Sequence, residues 1–158
     1  LNYAKQKKYD YAIMLHGDGQ YHPKYLPIML HKLRDRKIYA VTGSRMINRK
    51  NALLGKMPFY KFVGNIFLTF LTNIITKKKF TDCHSGFWAY RVSMFNKFKL
   101  SQMTDGFNFD QQVRLSCIKN SLKITEIPIK TIYGSERSSV HLIYAIRYVF
   151  ELFKYIIK

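Results

Sequence analysis

The sequence predicts an α/β fold, in which helices cover a sheet. Strand-like and helical segments alternate through the first half of the chain, and the first two strand-like runs each end at a glycine. Such alternation is typical of α/β proteins. The chain of 158 residues is long enough for one domain with a substantial core, and its 47% hydrophobic content indicates a folded protein.

The elements follow from the hydrophobic pattern in chain order. A first strand is predicted at 9–16, where apolar residues run up to Gly17. Pro23 suits the start of a helix that extends to about Arg36. The remaining predicted elements are a strand at 37–44, a polar loop at 47–58, a helix at 58–76, a turn-rich segment at 80–91, a helix at 106–120, a strand at 122–133 and a last helix from 139. Pro128 places the last strand at a sheet edge or a bulge.

The formal net charge of +18 arises from 27 Lys and Arg residues against 9 Asp and Glu residues. This surplus indicates a polyanionic partner: a nucleic acid, an anionic membrane surface or a phosphorylated substrate. A basic nucleic-acid-binding module is the alternative from another class, but the sequence contains no recognisable nucleic-acid-binding motif and no nucleic-acid partner is expected. Cys83 and Cys117 form neither a disulfide framework nor a zinc-binding spacing, so a reducing compartment is expected.

The segment GDG at residues 17–19 directly follows the first predicted strand. Asp18 would therefore lie at the carboxyl edge of the sheet, where open α/β sheets bind ligands. Its carboxylate, with the side-chain oxygen of Gln20, would suit a hard divalent cation that shares ligands with substrate phosphates. Gly and Asp are also the residues that tight turns favour, and the local pattern alone slightly favours the turn.

The stretch between Asp35 and Asp82 contains ten Lys or Arg residues and no acid. Arg45 follows a strand end, where it would meet the same crevice as Asp18. Arg45 and Lys61 are therefore candidates for phosphate contacts. The lysines at 77–79 are expected to be solvated or to contact membrane headgroups.

The last helix carries its charges on one narrow stripe, and nearly all its other residues are apolar or aromatic. The stripe consists of Arg147, Glu151, Lys154 and Lys158. This pattern indicates a helix at a bilayer interface or against a partner, and a buried core helix is an equal alternative. The apolar helical run at 62–75 is shorter than the roughly 20 residues that cross a bilayer.

Several motifs occur in an order that resembles one protein family. They are LHGDGQYHPKYLPIML, AVTGSR, GKMPFYKFVGN, TDCHSGFWAYR, GFNFDQQV, EIPI and YGSERSSVHL. Together they resemble a family 2 glycosyltransferase of the dolichyl-phosphate mannose synthase or polyprenyl-phosphate glycosyltransferase type. The resemblance implies a GT-A fold, an inverting transfer, a nucleotide-sugar donor, a divalent metal (Mg²⁺ or Mn²⁺) and a lipid-phosphate acceptor at the cytoplasmic face of a membrane.

The resemblance also implies a domain organisation. Residues 1–138 resemble the C-terminal two-thirds of a GT-A domain, because the family's first strand–helix units precede the GDGQ strand. Residues 139–158 are expected to form a separate amphipathic interfacial helix, which could also contact a membrane partner or a second copy. Without the upstream units, a non-catalytic remnant of a glycosyltransferase is a further alternative.

The donor side of the site follows from the motif matches. Asp18 takes the place of the second Asp in the family's Asp-x-Asp-Gly-Gln segment, which implies a metal ligand that bridges to the donor diphosphate. Gln20 is implied as an accessory ligand. His16 stands where the family has the first Asp; an imidazole can bind Mn²⁺ but suits Mg²⁺ poorly. Arg137 and Ser138 resemble the loop that closes on the donor diphosphate.

The acceptor side follows in the same way. Arg45 resembles the arginine that binds the acceptor phosphate, and Lys61 and Asn65 resemble a basic and a polar residue one helical turn apart that face the same anion. Asp82 and Asp110 resemble the family's acids near the acceptor and the sugar. A phosphate acceptor needs no general base, whereas a glycan hydroxyl would need one, for which Asp110 is the candidate.

Overall fold

A computed structural model describes residues 1–106, 108–133 and 142–157. Its centre is a four-stranded mixed sheet in the order β1-β3-β2-β4. Strand β3 is antiparallel to both of its neighbours, and β2 and β4 are parallel. The strands are β1 (Tyr11–Met14), β2 (Ile38–Ser44), β3 (Trp88–Arg91) and β4 (Lys123–Pro128).

Helices cover this sheet, so the predicted α/β class is confirmed. The α-helices are α1 (Asn2–Gln6), α2 (Leu26–Arg34), α3 (Arg49–Leu54), α4 (Phe59–Thr76), α5 (Phe109–Lys119) and α6 (Leu142–Ile157). Short 3₁₀ turns span Pro23–Tyr25, Val92–Asn96 and Leu100–Gln102. The predicted helices at 23–36, 58–76 and 106–120 are present with slightly shorter bounds.

The sequence prediction was wrong in two places. The segment 80–91, expected to be turn-rich, contains β3, which lies between β1 and β2. Trp88, Ala89 and Tyr90 are all buried, and a short strand buried on both faces shows no alternation. The expected loop at 47–58 contains α3, a helix too short for its periodicity to stand out.

The core lies on both faces of the sheet. On one face α2 contributes Met29 and Leu33, which are fully buried as their helical spacing predicts. On the other face α5 contributes Val113 and Cys117, which pack against Trp88 and its neighbours. A separate cluster joins α4, α5 and α6.

The candidate residues lie at the carboxyl edge of the sheet, which is formed by the carboxyl ends of β1, β2 and β4. Because β1 and β2 are each antiparallel to β3, and β4 is parallel to β2, three strands end at this edge and β3 begins there. The loop after β1 also meets the chain after β4, where Tyr21 pairs with Thr131. Pro128 ends β4 at the outer edge of the sheet, as predicted.

Candidate functional site

A buried ion pair stands at the carboxyl end of β2. Arg45 Nε donates to Oδ2 of Asp82 at 2.7 Å and Arg45 Nη2 donates to Oδ1 at 2.9 Å. The backbone N–H of Arg45 donates to the same carboxylate at 3.1 Å. Asp82 is fully buried and Arg45 is 8% exposed, so this pair is shielded from water and strongly coupled.

Further donors complete the shell of Asp82. The side-chain amide of Asn65 donates to Oδ1 at 2.8 Å, and the backbone N–H of His84 donates to the same oxygen at 3.0 Å. Burial acts to raise the pKa of Asp82, but the charge and hydrogen bonds of Arg45, with the bond from Asn65, hold that pKa well below its ordinary value. Asp82 is therefore a permanent anion whose two oxygens are already occupied by protein donors.

A second carboxylate holds the segment that carries Asp82. Glu126 on β4 accepts hydrogen bonds from the backbone N–H and hydroxyl of Thr81 at 2.8 and 2.9 Å, and from the backbone N–H of Asp82 at 3.1 Å. The Thr81 hydroxyl also lies 2.6 Å from the hydroxyl of Ser44. The sequence did not indicate these contacts, because the partners of Glu126 lie about 45 residues earlier in the chain.

The three candidate phosphate ligands come together at this edge. Arg45 Nη1 donates to the Tyr133 hydroxyl at 2.8 Å, and Lys61 Nζ lies 5.7 Å from the centre of the Tyr133 ring. Partial burial and the nearby charge of Arg45 both lower the pKa of Lys61. Asn65, one turn further along α4, reaches Asp82. Tyr133 thus links the two cations, and nothing in the sequence around it indicated that contact.

Asp18 lies on the exposed loop after β1. Its Oδ1 accepts a hydrogen bond from the backbone N–H of Gln20 at 3.0 Å, and Gly19 has φ +71°. The structure therefore shows the turn that the local sequence favoured. Apart from the adjacent residues in the chain, no heavy atom lies within 4 Å of a Cβ built on Gly17 or Gly19. The turn leaves the carboxylate of Asp18 exposed to solvent. The role of Asp18 as a metal ligand stays a prediction.

His16 and Asp110 converge on Gly86. A Cβ at Gly86 would lie 2.6 Å from Cε1 and 2.8 Å from Nε2 of His16, and 3.6 Å from Oδ2 of Asp110. A side chain at position 86 would displace the imidazole from this position. The His16 ring also meets the edge of Tyr21, whose hydroxyl accepts the Gly86 N–H at 3.2 Å.

Asp110 lies in the first turn of α5. Its Oδ1 is shut off from solvent and has no hydrogen-bond partner among the described residues. Burial raises the pKa of Asp110 to about 7, against the opposing charge of Arg114. A carboxyl group that titrates near neutral pH can both accept and release a proton there.

The raised pKa of Asp110 predicts a pH-dependent stability. Stability from the protonated carboxyl is complete below about pH 4 and is lost as the pH rises through about 7. The free energy of unfolding of Asp110→Asn, measured relative to that of the wild type, should therefore rise by about 1 to 4 kcal/mol from pH 5 to pH 8. Urea unfolding at both pH values measures this gain, with the exposed Asp105→Asn as the control. An equal difference at both pH values would contradict the prediction.

Arg114 is a buried cation that the sequence pattern did not indicate. Its guanidinium lies between the rings of Phe80 and Trp88, 4.6 and 4.7 Å from their centres. Nη2 donates to the backbone carbonyl of Asp82 at 3.4 Å. Arg114 follows Asp110 by one turn of α5. Its positive charge therefore lies near the carboxylates of both Asp82 and Asp110. Buried arginines are rare, and the position of Arg114 on an amphipathic helix gave no indication that its side chain is buried.

The donor side of the site is only partly covered by the structure. Arg137 and Ser138 lie outside the described residues. Within the described ranges, no group of three or more His, Cys, Asp or Glu side chains could hold a metal ion. The exposed carboxylate of Asp18 fits a cation that takes most of its ligands from a substrate, since Mg²⁺ in phosphate sites commonly uses one or two carboxylates. The open, exposed turn at Asp18 allows such sharing.

Comparisons with known proteins identify the family of this chain. The family described as Glycosyl transferase family 2 matches residues 1–98. The UDP-N-acetylglucosamine–dolichyl-phosphate N-acetylglucosaminyltransferase of Methanococcus voltae is 33% identical over 125 residues, which cover 78% of this chain and 49% of that protein. Glycosyltransferase AglJ of Haloferax volcanii is 28% identical over 118 residues, covering 75% and 37%. The chain thus spans about half the length of the curated relatives it matches.

The fold is also found in a solved structure. Glucosyl-3-phosphoglycerate synthase from Mycobacterium tuberculosis, solved in complex with phosphoglyceric acid, superposes with a TM-score of 0.64 at 12% identity. The match covers 93% of this chain and 50% of that one. The predicted GT-A type of fold is thereby confirmed. By the match over residues 1–98 and the identity to the archaeal relatives, the chain belongs to glycosyl transferase family 2.

Proposed function

We propose that the protein transfers a sugar from a nucleotide-sugar donor to a polyprenyl or dolichyl phosphate at the cytoplasmic face of a membrane. The observation that carries the proposal is the cluster of Arg45, Lys61 and Asn65 at the carboxyl edge of the sheet. Membership of glycosyl transferase family 2 supports the reaction type, and the similarity to the dolichyl-phosphate N-acetylglucosaminyltransferase of Methanococcus voltae supports a dolichyl-phosphate acceptor.

The electrostatics of the cluster favour an anionic acceptor. Asp82 balances the charge of Arg45, and the described residues place no carboxylate within ion-pair distance of Lys61. Among the described residues, hydrogen bonds use three of the five N–H groups of Arg45. Lys61 thus supplies the net positive charge, and Arg45 supplies fixed donors beside it. A phosphate monoester suits this combination of charge and donors.

The reaction needs little covalent chemistry from the protein. An oxygen of the acceptor phosphate forms a bond to the anomeric carbon while the bond from that carbon to the donor diphosphate breaks, with inversion. The nucleoside diphosphate leaves with the bonding electrons. Since the acceptor is already an anion, Lys61 and Arg45 need only bind and orient it, and no proton has to be removed.

The donor diphosphate would be bound on the other side of the crevice. Asp18, with Gln20 and His16, would hold a divalent cation, which when bound stabilises the charge that develops on the leaving diphosphate. Arg137 and Ser138 are proposed to contact the same diphosphate. Asp82 is proposed to position Arg45 rather than to touch substrate, because its oxygens are already bonded within the protein.

A glycan hydroxyl is the second candidate acceptor, and the position of Asp110 favours it. A hydroxyl must lose its proton as it attacks, and a carboxylate with a pKa of about 7 is a suitable base. The two acceptors predict different pH dependences. Transfer to a hydroxyl should increase as the pH rises through about 7 and be lost in Asp110→Asn, whereas transfer to a phosphate should retain most of its rate in that variant.

Replacing Lys61 tests the proposed acceptor site. Lys61→Met in the full-length protein should raise the KM for a short-chain polyprenyl phosphate by about tenfold or more, because a charge-assisted contact is lost. The kcat and the donor KM should stay within about twofold of the wild-type values, because a contact that is equally strong in the ground state and the transition state affects only acceptor binding. Steady-state kinetics with each substrate varied in turn measures the split.

The matched control is Lys97→Met, which removes an exposed lysine from another part of the chain. It should leave all three constants unchanged. An equal rise in the donor and acceptor KM of Lys61→Met would contradict the assignment of Lys61 to the acceptor.

A further inference from the structure

Tyr133 contacts both cations of the proposed acceptor site. Its hydroxyl accepts a hydrogen bond from Arg45 Nη1 at 2.8 Å, and the Nζ of Lys61 lies 5.7 Å from the centre of its ring. The hydroxyl oxygen and the face of the ring are the electron-rich parts of a tyrosine side chain. Each of these two parts therefore faces one positive charge.

The charges of Lys61 and Arg45 repel each other at close range. Partial burial lowers the pKa of Lys61, and the nearby charge of Arg45 lowers it further. A lysine side chain is also long and flexible, so an unrestrained ammonium turns toward solvent. The face of the Tyr133 ring beside this ammonium attracts it. The ring therefore offsets part of the repulsion and restrains the lysine.

The backbone around Tyr133 is held by two neighbouring segments. Its N–H donates to the carbonyl of Gly55 at 2.9 Å, and Thr131, two residues earlier, pairs with Tyr21. A Cβ at Gly55 would overlap the backbone oxygen of Thr131, so a larger residue at position 55 would push the two segments apart. These contacts hold Tyr133 beside the first turn of α4, where Lys61 lies.

The side chain of Tyr133 is partly buried and uncharged at neutral pH. It packs against a buried apolar cluster that consists of Met46, Ala52 and Met57. Burial raises the pKa of the Tyr133 hydroxyl, although the charge of Arg45 opposes this rise. A carboxylate in this place would neutralise Lys61 and repel a phosphate, whereas a neutral phenol does neither. Tyr133 therefore holds the ammonium without cancelling its charge.

We propose that Tyr133 is a positioning residue for the acceptor phosphate. Its ring and its hydroxyl hold the Lys61 ammonium and the Arg45 guanidinium side by side, so that both groups meet the same phosphate. This inference rests on the proposed function, because it takes the acceptor to be a phosphate. Side chains that are arranged before binding lose less conformational freedom when the ligand binds, so the acceptor is bound more tightly.

Two substitutions of Tyr133 in the full-length protein test this inference. Tyr133→Phe removes the bond to Arg45 and keeps the ring beside Lys61, whereas Tyr133→Leu removes both contacts. The KM for a short-chain polyprenyl phosphate should rise about threefold in Tyr133→Phe and about tenfold or more in Tyr133→Leu. The kcat and the donor KM should stay within about twofold of the wild-type values, because the positioned groups act on acceptor binding.

The matched control is Tyr25→Phe, because Tyr25 makes the same two kinds of contact. Its hydroxyl accepts the backbone N–H of Lys130 at 2.8 Å, and the Nζ of Lys24 lies 5.3 Å from the centre of its ring. Tyr25→Phe should leave the acceptor KM unchanged. An equal rise of the acceptor KM in Tyr25→Phe and Tyr133→Phe would assign the effect to a general loss of structure and overturn the inference.

A double-mutant cycle with Lys61 shows whether Tyr133 acts through that lysine. In the Lys61→Met background, Tyr133→Leu should raise the acceptor KM only about threefold, because the contact to Arg45 is then the only one left to lose. A tenfold rise in that background would show that Tyr133 acts independently of Lys61 and overturn the inference.

The remaining outcomes separate this inference from the proposed function. Wild-type constants in both Tyr133 variants would overturn the inference alone. A fall of the acceptor KM in Tyr133→Phe would do the same, because the hydroxyl would then compete with the phosphate for Arg45. No transfer to a polyprenyl phosphate by the wild type would overturn the proposed function and the inference with it.

Discussion

Replacing Asp18 in the full-length protein is expected to abolish sugar transfer. Both Asp18→Ala and Asp18→Asn remove the only carboxylate charge that the GDG turn can offer to a cation on the donor diphosphate. The rate should fall by at least about 100-fold, as is typical when one electrostatic contact to a leaving group is removed. Transfer from a radiolabelled nucleotide-sugar measures the loss.

The Asn variant separates the two roles of Asp18. Asparagine can still accept the hydrogen bond from the Gln20 N–H and is equally favoured in such turns. Asp35 gives a matched control, because its Oδ1 accepts the backbone N–H of Lys37 at 2.9 Å in the same pattern at the far end of β2. Asp35→Asn should retain full activity. A fully active Asp18→Asn, with activity lost only in Asp18→Ala, would reduce Asp18 to a turn residue.

Removing Asp82 is expected to cause the largest loss of stability in the chain. Asp82→Ala leaves Arg45 buried without its counter-charge and leaves the donors of Asn65 and His84 unpaired. Breaking a buried ion pair in this way costs about 3–5 kcal/mol. For a domain of this size, the melting temperature should fall by roughly 6–20 °C. Urea unfolding followed by circular dichroism measures the change.

The exposed pair of Glu151 and Lys154 provides the control. Glu151→Ala should cost less than about 1 kcal/mol, because exposed ion pairs contribute little. Combining Asp82→Ala with Arg45→Met removes the uncompensated charge and should recover part of the loss, with a coupling energy of about 2 kcal/mol or more. Additive effects of the two substitutions would show that Asp82 does not stabilise Arg45.

Local sequence patterns predicted the long elements well. Helix α4 combines a clear periodicity with a length of 18 residues. Helix α2 follows a 3₁₀ turn that begins at Pro23, and it buries Met29 and Leu33. Strand β3 was missed because three of its four residues are buried, so it shows no alternation of apolar and polar residues. Short buried strands depend on their neighbours in the sheet, and a single sequence does not show those neighbours.

The site was predicted less completely, because its contacts join distant parts of the chain. Arg45 meets Tyr133 across 88 positions and Asp82 across 37. The sequence indicated that Arg45 would bind phosphate, but it could not show that the Asp82 carboxylate would accept two of its guanidinium N–H groups. Because Asp82 neutralises the charge of Arg45, we expect Lys61 to supply the net positive charge that faces an acceptor.

Asp18 shows a different limit of sequence reasoning. Its residue type satisfies a turn and a metal site equally well, and the structure shows that one oxygen serves the turn while the carboxylate stays exposed. The two interpretations therefore do not exclude each other.

The most direct test of the central claim is transfer by the full-length protein to a polyprenyl phosphate. A panel of nucleotide-sugars is incubated with the acceptor, with and without Mg²⁺ or Mn²⁺, and Asp18→Asn serves as the inactive control. We predict a sugar-linked polyprenyl phosphate from at least one donor, absent with Asp18→Asn. Transfer to glycan hydroxyls alone, or no transfer to any phosphate acceptor from any donor, would contradict the account.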